Sequence, residues 1–125
     1  VGGGIALLHA AKVLENINVN GDAKIGISIV RKSLEGPLKQ IAVNAGKDGA
    51  EVLANLRGKD EKFGYNAKTD KYEDLVSAGV IDPTKVVRNA LQTASSVAGM
   101  VITTESLVAD FDEEKDKKDD VGIVM

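Results

Sequence analysis

The triplet Asp82-Pro83-Thr84 constrains this chain more than any other local feature. Aspartate is a good N-cap, proline suits the first helical position, and an apolar pattern of helical period follows from Val86. The spacing therefore predicts a helix over Pro83–Val101. Its Ala90, Ala94, Ser95, Ala98 and Gly99 would let a neighbouring helix approach closely. Fifteen residues before Gly79, Gly64-Tyr65-Asn66-Ala67 lies at a turn between two short β-prone runs, Phe63–Asn66 and Lys71–Glu73, which together predict a small hairpin.

The rest of the chain reads mainly as helices. Ile5–Leu14 follows a glycine entry, with Ile5, Leu8 and Val13 on its apolar face. Ala23–Ala45 carries Ile25, Ile29, Val30, Leu34, Leu38 and Ile41 at helical spacing and is expected to bend at Pro37 without ending. Ala50–Leu56 is a short helix closed by Gly58, and Asp74–Ala78 a helical turn stopped by Gly79. Thr103–Asp110 alternates as a strand does. Glu113–Asp120 is a charge run that cannot bury apolar area and is expected to be disordered.

Composition narrows the function classes. With only 3% aromatic residues, a core of small aliphatics favours closely packed helices. A formal net charge of −3 gives no electrostatic case for nucleic acid. No cysteine and a single histidine exclude disulfides, thiolate metal sites and multi-His metal sites. No apolar run reaches the roughly 18 residues of a membrane span, and no signal peptide is visible.

Individual residues admit two readings each. Gly2-Gly3-Gly4 before a helix is either a tight turn or a place where bare backbone approaches a phosphate or sugar. It does not complete G-x-G-x-x-G, because Leu7 holds the last place. Asn66 reads as a turn asparagine and Asp82 as a helix cap, or the two as a polar amide and a carboxylate that suit a small polar ligand such as a nucleoside. His9 reads as packing or surface.

Four blocks in one order resemble a known family: Gly2-Gly3-Gly4-Ile5-Ala6-Leu7-Leu8, Gly64-Tyr65-Asn66-Ala67, Gly79-Val80-Ile81-Asp82-Pro83-Thr84-Lys85-Val86, and Ala98-Gly99-Met100-Val101-Ile102-Thr103-Thr104-Glu105. The series is similar to the C-terminal part of a group I chaperonin of the GroEL type, from Gly2 to about Asp110. The resemblance implies a mainly α, multihelical half of a chaperonin equatorial domain, with a small β-hairpin and a C-terminal edge strand. Residues 1–111 would form that half and 112–125 a disordered tail projecting into the ring cavity. The tail departs from the family, ending in Val121-Gly122-Ile123-Val124-Met125 where Gly-Gly-Met repeats are common.

The resemblance also implies sites. Gly3 would lie against a nucleotide ribose, Asn66 and Ala67 would contact adenine, Val80 would line the adenine pocket, and Asp82 would take the ribose hydroxyls. Lys39, Asp48 and the turn Gly46–Gly49 would contact the opposite ring. The cofactor would be ATP. Its Mg²⁺, phosphate loop and catalytic aspartates would lie N-terminal to this segment, since no Gly-Asp-Gly-Thr-Thr stretch is present. The chain opens in a glycine run without an initiator methionine, so a piece of a longer protein is expected. Partners would be identical subunits in stacked rings and, through other domains, a co-chaperonin lid and unfolded polypeptide. The location would be cytoplasmic in a bacterium, or the mitochondrial matrix or plastid stroma. An alternative is a ring-assembly segment with negligible nucleotide affinity of its own. A small nucleotide-using transferase is disfavoured, because no catalytic base, metal set or phosphate loop is present.

Overall fold

The computed structural model describes residues 1–108. In chain order they form α1 (Ile5–Ala10), a 3₁₀ segment (Ala11–Asn16), α2 (Asp22–Ser33), α3 (Gly36–Asn44), α4 (Gly49–Leu56), β1 (Phe63–Asn66), β2 (Lys71–Asp74) and α5 (Thr84–Ile102). The chain is mainly helical with one antiparallel hairpin, the expected class. It divides into two compact units, Val1–Val86 and a second that begins at Val87. The charge run and tail expected to be disordered lie outside the described residues. Among the described residues no helix is long and apolar enough to cross a membrane.

The first unit is organised around Ile5, Leu38, Ala42, Val52, Leu53, Leu56, Tyr65 and Leu75, all buried. Leu38 and Ala42 come from α3, and Val52, Leu53 and Leu56 from α4. The two helices pack closely because of Gly49. A Cβ there would stand 2.9 Å from the Cα, Cβ and carbonyl oxygen of Lys39, closer than atoms tolerate. Asp48 starts α4 by accepting from the amides of Ala50 (2.7 Å) and Glu51 (3.2 Å), satisfying two donors a helix start otherwise leaves unpaired.

The hairpin has the expected position. Phe63 faces Asp74, Gly64 faces Glu73, Tyr65 faces Tyr72 and Asn66 faces Lys71. Its connection is fastened at Asp70, a non-glycine residue with φ of 56°. Tyr65 Oη donates to Asp70 Oδ1 at 3.0 Å, and Lys47 Nζ pairs with Asp70 Oδ2 at 2.7 Å. These bonds hold a left-handed conformation that aspartate tolerates better than most residues. They also tie the hairpin to the turn between α3 and α4.

Three expectations are corrected. The helix expected over Ala23–Ala45 is two helices, α2 and α3, and Pro37 lies in the first turn of the second. The Glu35 amide bonds back to Lys32 at 3.3 Å, and the next α-type bond runs from Lys39 to Glu35 at 3.1 Å. Proline supplies no amide for the Ser33 carbonyl and its ring crowds that oxygen, so the first helix stops and a new one starts. The helix expected over Ile5–Leu14 keeps α geometry only to Ala10 and tightens into the 3₁₀ segment. Three residues per turn shifts Val13 off the core face, and it is exposed while Ala11 is buried. The strand expected over Thr103–Asp110 does not form across residues 103–108. The Thr103 hydroxyl donates to the Gly99 and Met100 carbonyls (2.8 and 3.1 Å) and that of Thr104 to Val101 (2.8 Å), finishing the end of α5. A strand needs a partner edge, and the two strands present among the described residues pair only with each other. Asp110 lies outside the described residues.

Candidate functional site

The glycine run, the end of β1 and the segment before α5 meet in the first unit. The Gly2 amide donates to the Val80 carbonyl at 3.0 Å. A Cβ on Gly2 would stand 3.1 Å from that oxygen and 3.3 Å from the carboxyl carbon of Asp82. Gly3 has φ of +67°, and a Cβ there would come 3.6 Å from the Tyr65 carbonyl oxygen and 3.0 Å from Leu75 Cδ1. Gly4 has φ of +77° and a Cβ there would meet the Leu38 backbone nitrogen at 2.8 Å. Bare backbone is therefore a condition of this packing. It brings the first glycines beside both Tyr65-Asn66 and Val80–Asp82.

The chain builds this meeting locally. Leu75, wholly buried, carries the chain out of the hairpin, and its carbonyl accepts from the Val80 amide at 2.8 Å. A tight turn through Gly79, φ +74°, lies between them. Val80 is half-buried against the core, so the chain emerges with Asp82 exposed just before Pro83 and the first residue of α5. Ala67 is exposed at the end of β1.

Asn66 is placed differently from a free turn asparagine. It is 6% exposed. Its Nδ2 donates to Glu73 Oε1 at 2.7 Å and its Oδ1 accepts from the Lys68 amide at 3.1 Å. Glu73 Oε1 also accepts from Thr69 Oγ1 at 2.9 Å. Each amide end keeps one further bonding capacity. Sequence reasoning missed Glu73, Asp70 and Lys47. The only signal for Glu73 was its place beside Asn66 once the hairpin register is drawn, and for Lys47 and Asp70 there was none.

Charges around the hairpin are shifted by their partners. The hydrogen bond from Lys47, then that from Tyr65, holds the Asp70 carboxyl below the ordinary aspartate range, and the same bond raises Lys47. Burial, then the bond to Asp70, pushes the Tyr65 phenol up. The amides of Ser77 and Val76 contribute to lowering Asp74, Ser77 most of all.

The other expected residues sit apart from this meeting point. Lys39 pairs with Glu35 at 2.7 Å on α3 and packs beside Gly49, next to Asp48. Lys39, on α3, thus lies against the start of α4, whose cap is Asp48. His9 is half-buried, its Nδ1 has no hydrogen-bond partner, and burial, then Lys12, lowers its pKa. It lines a cleft of about 280 Å³ with Leu8, Arg31, Glu35, Leu56 and Arg57, which includes none of Gly3, Asn66, Ala67, Val80 and Asp82. Among the described residues no group of three or more His, Cys, Asp or Glu could hold a metal ion.

The sequence that carries these segments matches one protein class. The sequence matches the TCP-1/cpn60 chaperonin family over residues 1–112; the chain belongs to that family. It is similar to the chaperonin GroEL of Methanospirillum hungatei JF-1, 57% identical over 117 residues that cover 93% of this chain and 22% of that protein. It is also similar to the chaperonin GroEL of Methanoregula boonei, 52% identical over 119 residues covering 94% of this chain and 22% of that protein. The chain spans 22% of the length of these curated relatives.

Proposed function

We propose that this chain is the nucleoside-binding side of an ATP site in a chaperonin subunit, within a double-ring cage that refolds non-native polypeptides. The observation that carries the reading is the convergence of Gly2–Gly3 on Tyr65-Asn66 and on Val80–Asp82. Each of these segments contains a residue that the family resemblance assigns to the nucleotide.

The residues suit such a ligand. The space a Gly3 side chain would need is taken by Leu75, so the glycine's role is to bring its backbone into place as a surface for a sugar ring. Val80 gives an apolar wall for a purine. The exposed Asp82 carboxylate accepts from ribose hydroxyls, while Asn66 and Ala67 address the base edge. Bound ATP would supply the free energy of phosphate transfer to water. Phosphates and Mg²⁺ would be held by family segments outside this one. Lys39 on α3 and the turn Gly46–Gly49 with Asp48 are the proposed contact with the opposite ring. Identical subunits are its partners there, with co-chaperonin and client polypeptide reached through other domains.

Nucleotide titration of the full-length protein tests the reading. Asp82→Ala and Asn66→Ala should each weaken ATP binding while rings still assemble. Unchanged affinity in both variants would refute it and leave a ring-assembly segment as the better description.

A further inference from the structure

We propose that Glu73 is a positioning residue that fixes which way the Asn66 amide faces, and so sets the preference of the site for a 6-amino over a 6-oxo purine. The inference rests on the nucleoside reading above and adds to it a residue outside the expected set.

Asn66 is held at both ends. Its Nδ2 donates to Glu73 Oε1 at 2.7 Å, and its Oδ1 accepts from the Lys68 amide at 3.1 Å. A carboxylate can only accept and a peptide N–H can only donate. Turning the amide by half a revolution would set Oδ1 against the Glu73 carboxylate and the NH₂ group against the Lys68 N–H. Both contacts would then be repulsive, inside a residue that is 6% exposed, where an unmet polar group is costly. The amide therefore has one permitted orientation.

The hairpin register explains how Glu73 reaches it. Glu73 faces Gly64 across the strands, and Asn66 lies two residues further along β1 on the same face. Leu75 and Ile5 fill the space beside Gly64, and Glu73 reaches along the diagonal to Asn66. The Thr69 hydroxyl bonds the same Oε1 at 2.9 Å and steadies the carboxylate.

What remains free on Asn66 is one N–H and one oxygen lone pair, with their order fixed. Adenine carries an amino donor at C6 beside the N1 acceptor. Hypoxanthine carries an oxo acceptor at C6 beside an N1–H donor. An amide free to turn accommodates either pattern, whereas a locked one matches the first and opposes the second. A site committed to one hydrogen-bond pattern rejects the reversed one strongly.

The test uses the full-length protein with ATP and inosine triphosphate as probes, and thermal unfolding as a control. In Glu73→Gln the new side chain can either donate or accept, so a turned Asn66 amide is opposed only by the Lys68 N–H and no longer at both ends, and the reversed orientation becomes accessible. The ratio of ATP to inosine triphosphate affinity should fall by about fivefold or more, the factor that corresponds to the net worth of one hydrogen bond. Glu73→Ala should lower the ratio as well. A purely structural Glu73 would lower the unfolding midpoint and leave the ratio as in the parent, and that result overturns the proposal. Asn66→Ala separates the two levels. If it weakens ATP binding while Glu73→Gln keeps the parental ratio, only the role of Glu73 is wrong. If it leaves ATP binding intact, the placement of the base at Asn66 is wrong and the proposal falls with it.

Discussion

The Gly2 amide and the Val80 carbonyl meet at 3.0 Å, with the Asp82 carboxyl carbon 3.3 Å from where a Gly2 side chain would begin. This pairing lies within the first unit. It joins the start of the chain to the segment that enters α5, and the end of β1 lies beside both through Gly3. Its demand for bare backbone has consequences for substitutions in the glycine run.

Gly4→Ala is expected to destabilise the fold. The residue has φ of +77°, and a Cβ would press on the Leu38 backbone nitrogen at 2.8 Å. Left-handed strain in a non-glycine residue costs roughly 1–3 kcal/mol, and a backbone neighbour cannot swing aside as a flexible side chain can. Urea titration reads the effect directly. A midpoint equal to that of the parent would show that the run can shift without cost.

Asp82→Ala in the full-length protein is expected to weaken ATP binding by roughly 1–3 kcal/mol, the cost of leaving ligand hydroxyls without their acceptor. Among the described residues the Asp82 carboxylate accepts no bond from an α5 amide, and α5 starts at Thr84, so the helix cap expected of Asp82 is not formed. Thermal unfolding should therefore change little in Asp82→Ala or Asp82→Asn, while calorimetry reads the loss of binding. Equal binding by parent and both variants argues against the assignment of Asp82.

Asp48→Ala should cost about 0.5–2 kcal/mol of stability, because the Ala50 and Glu51 amides lose their acceptor. Asp48→Asn should restore most of it. Failure of asparagine to rescue would mean that the carboxylate charge, rather than the cap, matters at this turn.

The Lys47–Asp70 pair predicts a pH dependence with a definite sign. Asp70 is held below the ordinary aspartate value of 3.8 when folded, by Lys47 first and then Tyr65. Its contribution is present above 3.8 and is lost as pH falls through the lower folded value. Lys47 is raised above its ordinary 10.5, so its share is complete below that value and disappears as pH rises through the folded one. The stability gap between the parent and Asp70→Asn should stay level through the neutral range and narrow in acid below 3.8. Both groups are exposed, so the gap should also shrink in high salt. A gap that widens on acidification contradicts this pairing.

Parts of this architecture were legible because they depend on local chemistry. The hairpin followed from two β-prone runs around a turn, and α5 from Asp82-Pro83-Thr84 followed by a helical period. Pro37 was misread because the apolar period continues through it. The period records which face is apolar, and it does not register the amide that proline removes. Thr103–Asp110 was read from alternation, yet a strand exists only where an edge can pair with it. The candidate site positions rest on the order of four blocks, which the sequence alone displays. The locked amide of Asn66 is not legible there, since Glu73 reaches it only through the register of a folded hairpin.

The isolated chain is expected to self-associate. Helix α2 has no buried residue, and Ile25 and Ile29 are 60% and 64% exposed on it. Covering a large aliphatic side chain is worth roughly 1.5–3 kcal/mol each, enough to draw two such faces together. Sedimentation with a dye that binds apolar surface measures this. A dye-negative monomer with a sharp unfolding transition would show that α2 is covered in solution.

Photolabelling of the full-length protein with an azido-adenine analogue of ATP tests the central claim most directly. If the three segments face one nucleoside, covalent attachment should fall on the peptide containing Asn66-Ala67 or on that containing Val80, and excess ATP should abolish it. Attachment confined to other segments, or labelling that ATP does not compete away, would contradict the account.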